Sequence, residues 1–584
     1  MDSSSERLKH LIEVAQGLAP ADLVIRGGLV VDVHLNRLIE GSVVGLCGDR
    51  IAYLGPEEAN LFGPQTRLED LGGAFLLPGF IDAHTHLDGL FQCASFVERA
   101  LPFGNTTSIT ETAMIAAALG SEGVDLFCQD AAGLPMRIFF LSPSLTPPFP
   151  ELETSAGFDD EAFDRFIARP DVLGLGETYW PLALDGDRRP LYRFGRAQAL
   201  GKSIEGHGAG LRGRRLGAYR AAGVESCHEA TNGQEAKERL RLGMAMMIRE
   251  GYIRREMEAV LPALGEAELD SGLVMLVTDT ADPAELLTGG GMNLLLKKAV
   301  SLGLDPLRAI RLITLNPARY FNLRLLGAVV PGGLADLVAV GDLESFECLK
   351  VWAGGRLAAK NGRLVRDLDR FIYPDWTRES FKIKEVSAQT FTLPVSGRRA
   401  KVRVVAVDSE TITREEIVEM DVSEGQIAPA PNRDILKAAH FDRQGLNAPA
   451  LGLIRGLGLK SGAVAVSYIW DTNNLLVLGA EESEMARAAN RVLEMGGGLA
   501  VAAQGRIEAE FALPIGGIIA EGDLAAGVGR MEEVEEALRR LGSTLARPLL
   551  TLQTLVFTGL PFLRLTDKGL LDVRQGRLVE VVIT

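Results

Sequence analysis

Cysteine is scarce in this 584-residue chain: Cys47, Cys93, Cys128, Cys227 and Cys348 are odd in number, scattered, and show no Cys-x-x-Cys spacing. That excludes a disulfide framework and a thiolate zinc knuckle, and it predicts reduced thiols in a cytoplasmic protein. Long apolar runs are missing too. None reaches the roughly 18 residues needed to span a bilayer, and the opening MDSSSERLKHLIEVAQGLAP has neither the apolar core nor the cleavage site of a secretion signal. Positive charge is in deficit: a formal net charge of -16 sets the global field against polyanions. The one compact basic cluster, Arg212 to Arg215, reads as a solvated turn rather than a nucleic-acid site. The expected partner is therefore a small molecule, with no nucleic acid and no membrane. Histidine is rare as well, at seven residues, so any clustering of them carries information.

What is present is a large core. Hydrophobic residues make up 47% and charged residues 24%, the balance of a folded globular protein, and the length predicts two or three domains. Residues 21–77 read as short β-type runs broken by turns, and the same texture returns at residues 327–366, which predicts one composite β-sandwich built from both flanks. Between them, strand-like runs alternate with helical ones at 79–86, 106–111, 136–142, 172–177, 203–207, 223–228, 244–248 and 273–279. Eight such units in about 250 residues predict a (β/α)8 TIM-type barrel with its site at the strand C-termini. The expected α/β architecture is thus residues 1–77 and 320–370 as the sandwich, 78–319 as the barrel, and 371–584 as a C-terminal α+β domain.

The stretch PGFIDAHTHLDG, residues 78–89, ends a strand on His84 and His86, whose spacing puts both rings on one face. Glu177, His207, His228 and Asp279 each close a further predicted strand. The intervals after His86 are 91, 30, 21 and 51 residues, close to three, one, one and two barrel repeats. Four imidazoles and two carboxylates on one rim can hold two divalent ions, with Glu177 bridging through its two oxygens. Taken singly, His228 could bond a backbone carbonyl and Asp279 could cap a helix. A better cap follows, however: Asp282 precedes Pro283, with Glu285 three positions on, and leaves Asp279 free for chemistry. GAGLRG, residues 208–213, fits the dinucleotide fingerprint but follows a short polar strand already ending in His207, so it reads as a glycine-rich loop.

PGFIDAHTHLD resembles the first-strand signature of the amidohydrolase superfamily. VLGLGE, GHGAGL, HEATNGQEAKERLRLGMAMMIREG, LVTD, LNPARYF, GGLADLV, GLGLKSGAVAVS, ARAANRV, LPIGGI and LTDKGLLDV together resemble bacterial adenine deaminases over nearly the whole chain. The resemblance implies hydrolytic removal of the adenine 6-amino group, giving hypoxanthine and ammonia in purine metabolism, at a pair of divalent metals, manganese or iron with zinc as a further candidate. A metal-bound water with its pKa lowered toward about 7 would supply hydroxide. Asp279 would accept and return the proton, Glu177 is a candidate acid for the ring nitrogen, and Glu229 would orient the site beside His228. Where the family usually reads Asp-Pro-His-Glu, this chain has Glu111-Thr-Ala-Met114; Thr280 replaces the second acid of Thr-Asp-Asp; and Trp470-Asp-Thr-Asn473 replaces His-Asp-Ser-His. Glu111, Thr280, Trp470 and Asn473 are accordingly the candidate substrate-binding residues, and their departures predict an altered specificity.

Two other activities stay open at this point: hydrolysis of a cyclic amide or another C–N bond, and a non-catalytic metal-bound sensor or scaffold. The lack of a lysine at the fourth-strand ligand position favours the deaminase. A homo-oligomer, a dimer first, is expected from the size of the barrel.

Overall fold

The computed structural model describes residues 3–560 and 562–583. Eight apolar runs in its middle segment form parallel strands: β1 (Phe80–Thr85), β2 (Asn105–Thr110), β3 (Arg137–Ser142), β4 (Val172–Tyr179), β5 (Ser203–His207), β6 (Ser226–Cys227), β7 (Ala245–Arg249) and β8 (Val274–Val277). Each falls where the alternation of apolar runs and helical segments predicts it. Helices such as Ala113–Ala131, Asp160–Ile167, Arg188–Ala199 and Gly233–Arg241 separate them and cover the outer face.

The expected closed barrel is corrected in one respect. The described strands pair as two ladders, β1 to β5 and β6 to β8, rather than one continuous ring. One interruption has a local cause. Between β8 and β1 the buried Asp82 carboxylate accepts from Thr278 N at 3.2 Å and from its hydroxyl at 2.5 Å, so a side chain takes a place that a ladder carbonyl would hold. Single backbone bonds still cross both gaps, Asp279 N to His84 O at 3.0 Å and Glu225 N to Ile204 O at 2.9 Å. Ile81, Ile109, Leu141, Met247, Met275 and Val277, drawn from both ladders, share one buried cluster, so the eight strands curl about a common interior.

The segments on either side of the eight strands meet. Strands Phe75–Pro78 and Leu337–Val340 pair antiparallel within a seven-stranded sheet. Leu76, Leu337 and Trp352 of that sheet pack with Leu23, Ile25, Val44 and Ile51 of a four-stranded one. The later residues form a ten-stranded sheet flanked by helices Glu482–Glu494 and Leu524–Arg540. Its link to the middle segment includes Ile519 and Ala520 pairing with Leu90 and Phe91 just past the histidine pair. None of the described helices is long and apolar enough to cross a membrane.

Asp282 caps helix Pro283–Leu287, accepting from Ala284 N at 3.0 Å. Its expected capping-box partner does not form, because Glu285 turns to Arg255 at 2.6 Å instead. Asp279 and Thr280 are thereby left outside the helix, and both take the left-handed backbone region, with φ of 46° and 78°. Such conformations carry a cost for residues other than glycine and cluster at sites that use the resulting side-chain direction.

Candidate metal centre

The C-terminal ends of the strands bring all six predicted ligands together. His84 and His86 both place Nε2 on Asp279 Oδ1, at 3.3 and 3.4 Å. Glu177 divides its oxygens, Oε1 lying 3.8 Å from His86 Nε2 and Oε2 lying 3.2 Å from His228 Nε2. His207 and His228 both face Glu229 Oε1, at 3.5 and 3.4 Å. The rings of His84 and His228 stack with centroids 4.2 Å apart.

Three overlapping groups result: His84, His86 and Asp279; His84, Glu177 and His228; His207, His228 and Glu229, each with its donor atoms within 4.8 Å of one another. Imidazole nitrogens with carboxylate oxygens are the donor set of a divalent transition metal. The fit is supported by orphaned polar atoms: His86 Nδ1 and Glu111 Oε2 are buried without a hydrogen-bond partner. Leaving such atoms unpaired costs stability unless something binds them.

Charge is concentrated here. Burial opposes ionisation of Asp279, but hydrogen bonds from His84 and His86 and the charge of Arg249 outweigh it and hold the group well below the usual carboxylate range. Burial likewise opposes charge on His86, yet Asp279 and Glu177 hold its imidazolium up to about 10. Glu229 is brought down to about 2 against its burial by Arg249, His207 and His228. Glu111 is pushed up by burial and then by the negative Glu177 beside it.

The predicted substrate residues separate. Trp470 stands edge-on to His86, with centroids 5.2 Å apart, and lines two cavities that also border His86 and Glu177. Glu111 lies beneath the ligands: its Oε1 accepts from Glu177 N at 3.0 Å and comes within 3.9 Å of His84 Nδ1. A Cβ at Gly176 would meet Glu111 Oε2 at 2.1 Å, so glycine is what admits this carboxylate. Thr280 lines a small cavity with His86, its buried hydroxyl unpartnered. Asn473 lies outside the linings of these cavities, its amide held by Met114 O at 2.8 Å, which makes it a brace for the Trp470 loop.

Several neighbours escaped the sequence reading. Arg249 ends β7 on the same rim, donating to Glu229, to Asp279 Oδ2 at 3.2 Å and through two nitrogens to Glu256, both at 2.9 Å. Its signal was an arginine closing the apolar run AMMIR, one residue past the predicted strand end. Tyr179, two residues beyond Glu177, donates to Asp471 Oδ1 at 2.5 Å, and Phe557 packs on His207 with centroids 5.8 Å apart. No local pattern marks Phe557, whereas Asp471 is the aspartate kept in the diverged Trp470-Asp-Thr-Asn473 segment; both arrive from the distant C-terminal segment.

Buried imidazoles and carboxylates gathered at the C-terminal ends of a curled parallel sheet define a metal-dependent hydrolase of the amidohydrolase class, and residues 200–358 match the amidohydrolase family. Residues 410–577 match the adenine deaminase C-terminal domain. An adenine deaminase from Moorella thermoacetica is 36% identical over 99% of this chain and 98% of its own length, and one from Cenarchaeum symbiosum is 34% identical over 99% and 95%. The chain belongs to the adenine deaminase family. Among solved structures, a β-aspartyl dipeptidase from Fervidobacterium islandicum is similar at 18% identity and a TM-score of 0.47, covering 59% of this chain and 99% of its own.

Proposed function

We propose that the chain hydrolytically deaminates adenine, giving hypoxanthine and ammonia, or a closely related amino-heterocycle, using two divalent cations. His84, His86, Glu177, His207, His228 and Asp279 would hold them, with manganese or iron the first candidates and zinc next. The observation that carries this reading is the overlap of the three donor groups through His84 and His228, which lets one rim serve two ions. The full-length likeness to adenine deaminases directs it to an amine on a heterocycle.

When bound, the cations supply a hydroxide nucleophile at neutral pH. The protein's own groups do the remainder. Asp279 accepts a proton at a carboxylate oxygen and returns it to the departing amine, an exchange suited to an acid held ionised beside imidazoles. Glu177 offers a second carboxylate at the same centre, and Glu229 fixes His207 and His228 from the outer side. Trp470 and Phe557 present apolar ring surface over the ligands and exclude water, strengthening every charge interaction beneath them.

Chelator-stripped protein is expected to release no ammonia from adenine. Reloading with Mn2+ or Fe2+ should restore turnover with about two metal equivalents bound, a stoichiometry that follows from the two-ion site. Metal analysis coupled to ammonia and hypoxanthine assays checks this. Full metal occupancy with no deamination of adenine or any related purine, pterin or pyrimidine would overturn it.

A further inference from the structure

Three arginines lie within seven residues after the start of the β7 terminus, and they are treated differently. Arg249 is saturated by Glu229, Asp279 and Glu256. Arg255 faces outward to Glu250, Asp282 and Glu285. Between them Arg254 lines the cavity over the metal centre, half-buried, and has only the Thr411 hydroxyl as a side-chain partner, with no ion pair among the described residues. The carboxylate two residues on, Glu256, is already taken by two nitrogens of Arg249.

A guanidinium with five donors that faces a ligand cavity and spends one of them on a neutral hydroxyl has a planar face left for an oxyanion. The surroundings hold it in place rather than satisfy it. Arg254 O accepts from Gly251 N at 3.0 Å, closing a tight turn, and the buried Thr411 that holds its guanidinium comes from the C-terminal segment. Trp470, Phe557 and Ile253 supply apolar wall to the cavity that Arg254 and the metal ligands also line. The cavity therefore offers a heterocycle three zones: a carboxylate and imidazole floor, an aromatic wall and a cationic rim. Neutral adenine has no group for the third.

We infer that the preferred substrate is an amino-heterocycle bearing an oxyanion substituent, a carboxylate or a phosphonate-like group, and that Arg254 is the residue that selects it. The inference rests on the deaminase reading for the reaction and adds the substrate's charge. It also gives a physical reason for the departures at Thr280 and Trp470: a pocket that recognises a charged substituent can forgo some of the polar ring contacts its relatives spell out in sequence.

The test uses the full, metal-loaded chain and a panel of amino-heterocycles with a carboxylate or phosphonate at several ring positions, each paired with its neutral primary amide. Binding is read by calorimetry and turnover by ammonia release. At least one acid should bind about 10- to 100-fold tighter than its amide, the range of a charge-assisted bidentate contact. In R254M that acid-to-amide ratio should fall toward one, while R254K should keep part of it. Carboxylate and phosphonate arms separate the two anion classes. If no acid outbinds its amide, or if the preference survives in R254M, the inference falls. Should R254M not fold, the wild-type ratios and R254K decide it. Preferential binding of an acid without ammonia release would retain Arg254 as the anion selector and sink the deaminase reading instead.

Discussion

Replacing Asp279 by Asn is expected to lower kcat of the metal-replete protein by about 10²- to 10⁴-fold, the usual worth of a positioned acid–base group. The substitution is nearly isosteric, so its effect reads charge and proton affinity rather than packing. Asp279 Oδ1 serves two imidazoles at 3.3 and 3.4 Å, and Oδ2 faces Arg249 at 3.2 Å. An amide can accept from one side only. Its NH2 turned toward Arg249 would oppose donor to donor, and turned toward the histidines it would remove the anion that holds them. Metal content measured beside kcat separates two outcomes: loss of an ion with activity marks Asp279 as mainly a ligand, while retained ions with lost turnover mark it as the proton carrier. Asp279→Glu keeps the charge and displaces it by one methylene, so partial rescue of metal binding without rescue of kcat points to the same proton role. Retention of more than about a tenth of wild-type turnover in Asp279→Asn would contradict both, since even a modest acid–base contribution exceeds tenfold.

How much of this was legible in the sequence depends on where a residue's partners lie. All eight parallel strands were readable because each is a short apolar run between helical segments, and the gathering of His84, His86, Glu177, His207, His228 and Asp279 was readable because each closes a predicted strand and the intervals match a repeating unit. The pairing of residues 75–78 with 337–340 was readable as a texture that stops and returns. The break in the ladder beside Asp82 was not: it depends on a side chain replacing a backbone acceptor, and hydrophobic pattern carries no trace of that. Asn473 shows the same limit. A polar residue in a diverged motif suggested contact with substrate, but its amide is spent on Met114 O, a partner 359 residues away in sequence. Arg254 is the converse case. Beside Arg255 it looks like an ordinary solvated pair, and only the three-dimensional count of carboxylates distinguishes the two.

Arg249→Met is expected to destabilise the metal-free protein by about 3–5 kcal/mol, the scale for removing one partner of a buried ion network. Arg249 is 3% exposed and Glu229, Glu256 and Asp279 lie around it at 7%, 8% and 3%, so water cannot replace the lost cation. The three carboxylates respond differently. Glu256 loses a two-pronged partner and, already pushed up by burial, gains a proton most readily. Glu229 retains His207 and His228 as neighbours, and Asp279 retains His84 and His86, whose protonated forms it already favours, so its charge is kept by drawing those two rings further that way. Protonated imidazoles cannot ligate, and this ties the arginine to the metal site through the two carboxylates it touches, Asp279 and Glu229. The expected result is therefore double: a lower denaturation midpoint in metal-free protein, and weaker uptake of Mn2+ in the variant that steepens as pH falls. Arg249→Lys restores charge without the planar fork and should recover stability more fully than it recovers metal affinity, because one ammonium cannot span Glu256 and Asp279 together. Denaturation curves of metal-free and Mn2+-loaded protein for both variants measure the two effects on one scale. Equal midpoints for wild type and Arg249→Met in the metal-free state would show that the buried carboxylates discharge themselves without the arginine, and would remove it from the electrostatic balance of the site.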